Sequence, residues 1–243
     1  MIKYFKKLLI GLRGSKLSIF FRRLPFIKRK LKGGYHSINL LDMQLEKYVD
    51  YDNGFYVELG ANDGVTQSNS FYFESRRNWK GVLVEPSPQN FLLCRKHRSN
   101  RNQIFCNACV SFNYRDKYVD IKYANLMSIS ENLELDLEDK EAHIEAAKEH
   151  LAEREAVFSF GAVAKTLNSL LDKANAPKVI DFLSLDVEGA ELEVLKGINF
   201  EQYSFKYMLI EVRNLKRMEK FLIQHGYLLE KQFSPHDYLF KHV

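Results

Sequence analysis

Short apolar runs alternate with amphipathic segments along most of this chain, and few folds accommodate that alternation. FYVELGA (55–61), KGVLVEP (80–86), QIFCNACVS (103–111), VIDFLSLDVEG (179–189) and YMLIEV (207–212) read as strands. Each is a brief apolar run, and most are closed by an acid, a glycine or a proline. Residues 66–77, 88–98, 166–174, 190–198 and 215–226 read as the helices between them. Thr166 is an expected N-cap and Gly226 an expected stop. YVDIKYA (118–124) alternates and predicts an extra strand, and YLLEKQF (227–233) and DYLFKH (237–242) predict two closing strands. Strands alternating with helices imply an α/β fold, a mostly parallel sheet covered on both faces. The 243 residues suffice for one such domain and are short for two.

Two segments depart from this rhythm. Residues 131–155 hold ten acids and three Lys or Arg, with apolar positions such as Leu133, Ile144 and Leu151 among them. They predict an acidic helix or helix pair, a helical insertion at about 125–160. The reading favoured for it is a solvated face, with a substrate lid as the alternative. Residues 1–41 hold eleven Lys or Arg and no acid, which leaves 25 basic against 31 acidic residues in the rest. The basic character therefore belongs to the head (1–34), not to the domain (35–243). Apolar Ile2, Phe5, Leu8, Leu9 and Leu12 recur there at helical spacing. The uncharged runs LLIGL and LSIFF are far short of the ~20 residues that span a bilayer. Residues 1–32 are thus expected to lie on an anionic membrane surface, with packing on the domain or a partner protein as the alternative. Nucleic acid is not expected, because the acidic remainder would repel it. Three cysteines are too few for a disulfide framework, so a cytoplasmic setting is expected, with the head on the inner face of the cytoplasmic membrane. Cys106 and Cys109 form a C-x-x-C without a second pair and read as ordinary buried thiols.

In open α/β sheets, ligands sit outside the carboxyl ends of the strands. Those ends are Glu58 to Gly64, Glu85, Asn107 to Ala108, Asp186 to Glu188, and Glu211. Four of the five carry carboxylates, the wrong electrostatics for a phosphate-binding floor. A dinucleotide fingerprint would need glycines at 60, 62 and 65, where the chain has Gly60, Asn62 and Val65; a P-loop is also absent. Gly60 and Gly64 still let the backbone turn tightly. Glu85 lies 21 residues after Gly64, near the ~20-residue offset at which an acid meets a ribose diol. A ribose, an ammonium-bearing tail and no phosphate describe S-adenosylmethionine, with Glu58 and the loop after it at the methionine portion.

Methyl transfer to a hydroxyl needs the acceptor held in line and a base for its proton. Glu188 is the first choice for that base, with Asp186 and Glu211 behind it. Helix capping is the bland reading of Asp186 and Glu188, and an ion pair with Arg213 that of Glu211. His236 and Asp237 are a weaker option and read as a surface turn. Asp186, Glu188 and Glu211 together make an oxygen-only metal cluster conceivable, but no metal site is assigned.

The segments VELGANDGVTQSNSF, GVLVEPSP, NACVS, TLNSLL, DFLSLDVEGAELEVLKG and LIEV, taken in order, resemble the FkbM-type family of S-adenosylmethionine-dependent methyltransferases. The resemblance covers roughly residues 50–215, and LDVEGAELEVLKG is its most specific block. It implies a class I methyltransferase fold, a Rossmann-like, seven-stranded sheet, and O-methylation, often of a sugar hydroxyl. By resemblance, Glu58, Gly60, Asn62, Asp63 and Gly64 fall on the cofactor loop and Ser68 near the tail carboxylate. Glu85 is the ribose acid, Asn107 and Ala108 meet the adenine edge, and Asp186 and Glu188 line the site beside the methyl donor. Asn168 stands where the family usually has an acid. The expected activity is O-methylation of a sugar in a bacterial surface glycan or glycolipid. The alternatives are a nucleotide-sugar oxidoreductase on the same fold, disfavoured by the missing fingerprint, and a non-catalytic scaffold, disfavoured by Glu58 and Glu85.

Overall fold

The computed structural model describes residues 34–137, 139–149, 151 and 156–243. The basic head, residues 1–33, lies outside them, and with it the expected amphipathic segment. The described chain runs α1 (Leu41–Leu45), β1 (Phe55–Leu59), α2 (Phe71–Arg77), β2 (Lys80–Val84), α3 (Pro88–His97), β3 (Gln103–Phe105), β4 (Ala108–Cys109), β5 (Tyr118–Tyr123) and β6 (Ile129–Ser130). It continues with α4 (Lys140–Lys148), β7 (Phe158–Lys165), α5 (Leu167–Lys173), β8 (Val179–Leu185), α6 (Glu191–Leu195), β9 (Ser204–Glu211), α7 (Leu215–Ile223), β10 (Tyr227–Gln232) and β11 (Asp237–His242).

The main sheet has seven strands in the order β10-β11-β9-β8-β1-β2-β3. All neighbours pair in parallel except β11, which is antiparallel to both β9 and β10. The period of two along each strand sorts its side chains. Val57, Val82, Leu183 and Met208 pack on one face with Leu167, Leu170 and Leu171 of α5, Leu195 of α6 and Leu222 of α7. Tyr56, Leu83, Phe182 and Leu209 pack on the other with Leu41, Leu45, Phe73 and Cys94 of α1 to α3. Each such fully buried side chain contributes about 1.5–3 kcal/mol. Strand order reverses direction between β1 and β8, and that is where open sheets of this type place a ligand.

Three elements differ from expectation. The helix expected from 66 begins at Phe71, because Ser68, Asn69 and Ser70 turn their donors onto Glu58 instead of continuing a helical ladder. QIFCNACVS splits: β3 pairs with β2, whereas Ala108 and Cys109 cross to a second sheet and pair with β7. That four-stranded sheet, β4-β7-β5-β6, includes β7, which the sequence reading left without an element. Among the described residues the acidic stretch holds the nine-residue helix α4, capped by Asp139, whose carboxylate accepts from the Glu141 and Ala142 N–H groups. Ile144 and Ala147 of α4 pack on Ala124 and Ile129, so the insertion rests on the small sheet.

Candidate active site

The carboxyl ends of β1, β2 and β8, residues of β4, β5 and β6 in the small sheet, and the β10–β11 turn enclose a cavity of about 710 Å³. Glu85 ends β2 and is buried in its wall. Its two oxygens accept the backbone N–H groups of Asn62 and Ser87, each at 2.8 Å. Burial raises its carboxyl to about 7 despite those donors. A carboxylate has about four acceptor positions, so each oxygen keeps one for a hydroxyl.

Glu58 also lines the cavity, but the protein itself occupies its carboxylate. It accepts from Ser68 Oγ at 2.9 and 3.0 Å, the Asn69 N–H at 2.9 Å and Ser70 Oγ at 2.6 Å, with Arg98 Nη1 at 3.4 Å. Arg98 is buried and also holds Glu74 at 2.6 Å, the Tyr56 hydroxyl at 2.6 Å and the Gly64 carbonyl at 2.7 Å. Tyr56 and Glu58 share one face of β1 by the period of two, which brings both onto this network. Glu58 and Ser68 therefore hold the loop's shape, and a ligand would find little of the Glu58 carboxylate free.

The loop glycines serve packing as much as approach to a ligand. Gly60 has φ +75°, and a Cβ there would lie 1.9 Å from the Asp186 carbonyl oxygen. Gly64 has φ +81°, and a Cβ would press on Arg98 and on the Cys94 sulfur. Gly64 and Asp63 are not among the lining residues, unlike Gly60 and Asn62. Asp63 turns inward because its carboxylate accepts the Val65 and Thr66 N–H groups and the Thr66 hydroxyl. Both lie on the expected cofactor loop, where the contacts they make close the loop on itself. Asn107 and Ala108 do line the cavity, with the Asn107 amide tied to the Val163 carbonyl at 3.0 Å. Asn168 bonds Asp172, Gln202 and the Asn199 N–H, a structural role away from the site.

Asp186, Glu188 and Glu211 converge, one oxygen of each lying within 4.8 Å of the others. β8 ends at Leu185, so both acids of LDVEG lie past the strand and escape its alternation. Glu188 takes φ +55°, a left-handed conformation that costs a non-glycine residue ~1–2 kcal/mol and aims its side chain back at Glu211. Asp186 opens onto the cavity, yet protein walls it elsewhere; burial, then the charges of Glu211 and Glu188, push its carboxyl well above the usual range. Burial and Glu211 raise Glu188 to about 8, against the pull of Arg213. Arg213 Nη2 donates to Glu188 at 2.9 Å and to Glu211 at 3.4 Å, so the expected Arg213 pair with Glu211 exists alongside its place in the cavity wall. Neither Asp186 nor Glu188 caps the helix that follows, whose N-cap position is Ala190; the loop between them is instead held by Glu191, which accepts the Val187 and Gly189 N–H groups. Three such carboxylates could also hold a divalent cation. His236 sits in the bend before β11 and Asp237 opens that strand, paired opposite Glu211, and both line the cavity.

Three other groups went unread in the sequence. His143, on the insertion helix, lies 3.4 Å from Glu188 and 3.2 Å from the Met127 carbonyl. Its Nε2 faces the Met127 carbonyl, an acceptor, and the Glu188 carboxyl together. Burial, then Arg213, lowers its pKa. Arg217 of α7 ties the insertion down through Asp136 at 2.7 Å and Glu134 at 2.6 Å. Asn69 lines the cavity between β1 and β8.

These residues fit S-adenosylmethionine. Glu85 has acceptor capacity for a diol, and two buried acceptor atoms, Asn69 Oδ1 and Glu211 Oε2, have no partner among the described residues. The wall offers oxygens to a cationic, hydroxyl-bearing ligand. In comparisons with known proteins, the profile described as Methyltransferase FkbM domain matches residues 58–229. No curated protein matches the chain. Among solved structures, precorrin-6y C5,15-methyltransferase from Geobacter metallireducens aligns at 13% identity over 83% of this chain and 85% of that one, with a TM-score of 0.43. A human methyltransferase 10 domain containing protein aligns at 11% identity over 88% and 90%, with a TM-score of 0.44. The profile takes in both the Glu58 loop and the acid cluster, and the chain belongs to the FkbM-domain family of methyltransferases, whose cofactor is S-adenosylmethionine.

Proposed function

We propose that this methyltransferase acts on oxygen, methylating a hydroxyl group of a sugar in a bacterial surface glycan or glycolipid. The observation that carries the reading is Glu188: a carboxylate on a strained bend, facing the cavity, with its pKa raised to about 8. The ionised form of such a carboxyl is a stronger base than an ordinary carboxylate and is populated as pH rises toward 8, so proton acceptance from a hydroxyl, and with it turnover, should climb over that range. S-adenosylmethionine supplies an electrophilic methyl group on a positively charged sulfur. The chain's part is to hold the acceptor oxygen in line with that methyl and to receive the hydroxyl proton at Glu188. Glu211 adds negative charge that favours proton uptake there, and Arg213 and His143 fix the carboxylate's direction. Oxygen-rich walls, from Ser128, Ser130 and Asp237, suit a polyhydroxyl acceptor.

The test uses methyl-labelled S-adenosylmethionine with sugars, glycolipids and membrane extracts, followed by mass spectrometry of the host's surface glycans with and without the protein. Label on a sugar oxygen, reduced at least a hundredfold by Glu188→Gln with S-adenosylhomocysteine affinity retained, supports the reading. Label on carbon or nitrogen, or normal turnover in the variant, overturns it. The basic head is proposed to bring the enzyme to an anionic membrane surface, each Lys or Arg adding ~1 kcal/mol. If full-length protein and a chain starting at Gly33 both stay in the supernatant with anionic vesicles at low salt, that attachment is wrong. No described helix is long and apolar enough to cross a membrane.

A further inference from the structure

Asn69 is 9% exposed and stands at the point where strand order reverses. Its backbone N–H is held by Glu58 at 2.9 Å, and its side-chain Nδ2 donates to Ser184 Oγ on β8 at 3.0 Å. The amide is thus clamped between β1 and β8. Its Oδ1 is buried and without a partner among the described residues, whereas the polar side chains beside it, Glu58, Ser68, Ser70 and Ser184, are all bonded. An unmet buried acceptor is costly, and native structures seldom keep one without a reason. Asn69 lines the cavity together with Ser184 and Asp186, so a ligand can supply the missing donor.

We propose that Asn69 holds the α-ammonium group of S-adenosylmethionine through its side-chain carbonyl. The inference rests on the cofactor reading and on Glu85 as the ribose acid. Glu85 ends β2, and Ser184 lies on β8, two strand spacings away, roughly 10 Å. An extended methionyl tail crosses that distance from the ribose. The atom itself selects the amine end of the tail over its carboxylate, because a carbonyl oxygen accepts but cannot donate. The sequence marks the residue only as the middle of SNS, with nothing in its type or spacing to set it apart from a turn.

The experiment is a binding cycle by isothermal titration, on wild-type protein and Asn69→Ala. The ligands are S-adenosylhomocysteine, its analogue lacking only the amine, and 5′-methylthioadenosine, which lacks the whole tail. In wild type, removal of the amine is expected to weaken binding at least tenfold. In Asn69→Ala, S-adenosylhomocysteine should bind at least tenfold more weakly, removal of the amine should cost little further, and methylthioadenosine should bind as in wild type. Asn69→Asp keeps an acceptor oxygen and should keep affinity for S-adenosylhomocysteine. A wild type indifferent to the amine overturns the proposal even if the variants fail to fold. Equal weakening of all three ligands also overturns it and makes Asn69 a packing residue. A wild type that binds none of the three overturns the cofactor reading as well.

Discussion

Glu188→Gln is expected to change the way stability depends on pH. Burial and the Glu211 charge raise the Glu188 carboxyl from 4.5 to about 8. The native protein therefore holds a proton that the unfolded chain has already released between those values. For an acid raised in this way, the stabilising contribution is complete below 4.5 and is lost as pH climbs through 8. The slope is ~1.36 kcal/mol per pH unit, so the wild type loses up to about 3 kcal/mol from this group between pH 5.5 and 8.0. Glutamine has the shape of the protonated acid and does not titrate. Asp186 shares the cluster and titrates with it, so removing the Glu188 charge also lets Asp186 ionise at lower cost. Losing the Arg213 bond at 2.9 Å adds a penalty that varies little over this range. The assay is urea unfolding of both proteins at pH 5.5 and 8.0. The stability difference should move in the variant's favour by about 1–3 kcal/mol between the two pH values, or several degrees in Tm at ~2–4 °C per kcal/mol. A difference constant to within about 0.5 kcal/mol would refute the raised carboxyl and with it the case for Glu188 as base.

Glu85→Ala should weaken S-adenosylhomocysteine binding more than tenfold, because hydrogen bonds to a charged acceptor are worth ~1.5–3 kcal/mol. Wild-type affinity should itself fall below pH 7 as that carboxyl takes up a proton, and titration calorimetry with flat affinity on both counts would remove Glu85 from the site. Arg98→Met leaves Glu58 and Glu74 buried without their cation and should cost about 3–5 kcal/mol in urea unfolding; a cost under 1 kcal/mol would mean the network is dispensable. His143→Ala should leave S-adenosylhomocysteine affinity within twofold and lower the transfer rate about tenfold, the kinetic equivalent of ~1.4 kcal/mol; unchanged single-turnover rates would reduce the insertion to a cover.

The sheet was legible because burial on two faces imposes continuous apolar runs, and such runs with helical spacing between them admit little else. The carboxylates at the strand ends were legible for the same reason: an acid closing an apolar run has to face the strand's end. What failed to show depends on contacts between distant parts of the chain. Ser68 and Ser70 read as the start of a helix, but Glu58 competes for their hydroxyls and delays it to Phe71. FSFGAVAK alternates only weakly, with Gly161 and small residues on a half-exposed strand, so β7 left no clear period. Cys106 and Asn107 carry no breaker signal, and only pairing with β7 shows that the strand divides there. Arg98 and His143 look like ordinary charged helix positions; nothing local distinguishes a cation that closes a buried network from one that meets solvent.

The cofactor loop and the acid cluster are one mechanical unit. Gly60 sits so close to the Asp186 carbonyl that no side chain fits between them, and the Asp186 N–H reaches back to the Leu59 carbonyl at 3.4 Å. The Gly60 and Ala61 N–H groups in turn hold the Val84 carbonyl, one residue before Glu85, each at 3.2 Å. The acid proposed for the ribose, the loop beside the tail and the acids proposed for proton transfer are therefore linked through backbone contacts across three adjacent strands. Backbone placement of this kind holds the groups that bind and the groups that react in fixed relation, which in-line transfer requires, since small misplacements there cost large factors in rate. The insertion adds its own side chain from outside this frame, through His143, and is tethered by Arg217 rather than by strand pairing with the main sheet. The groups on the main sheet are thus placed by backbone contacts, whereas those on the small sheet and its helix reach the site from a separate frame.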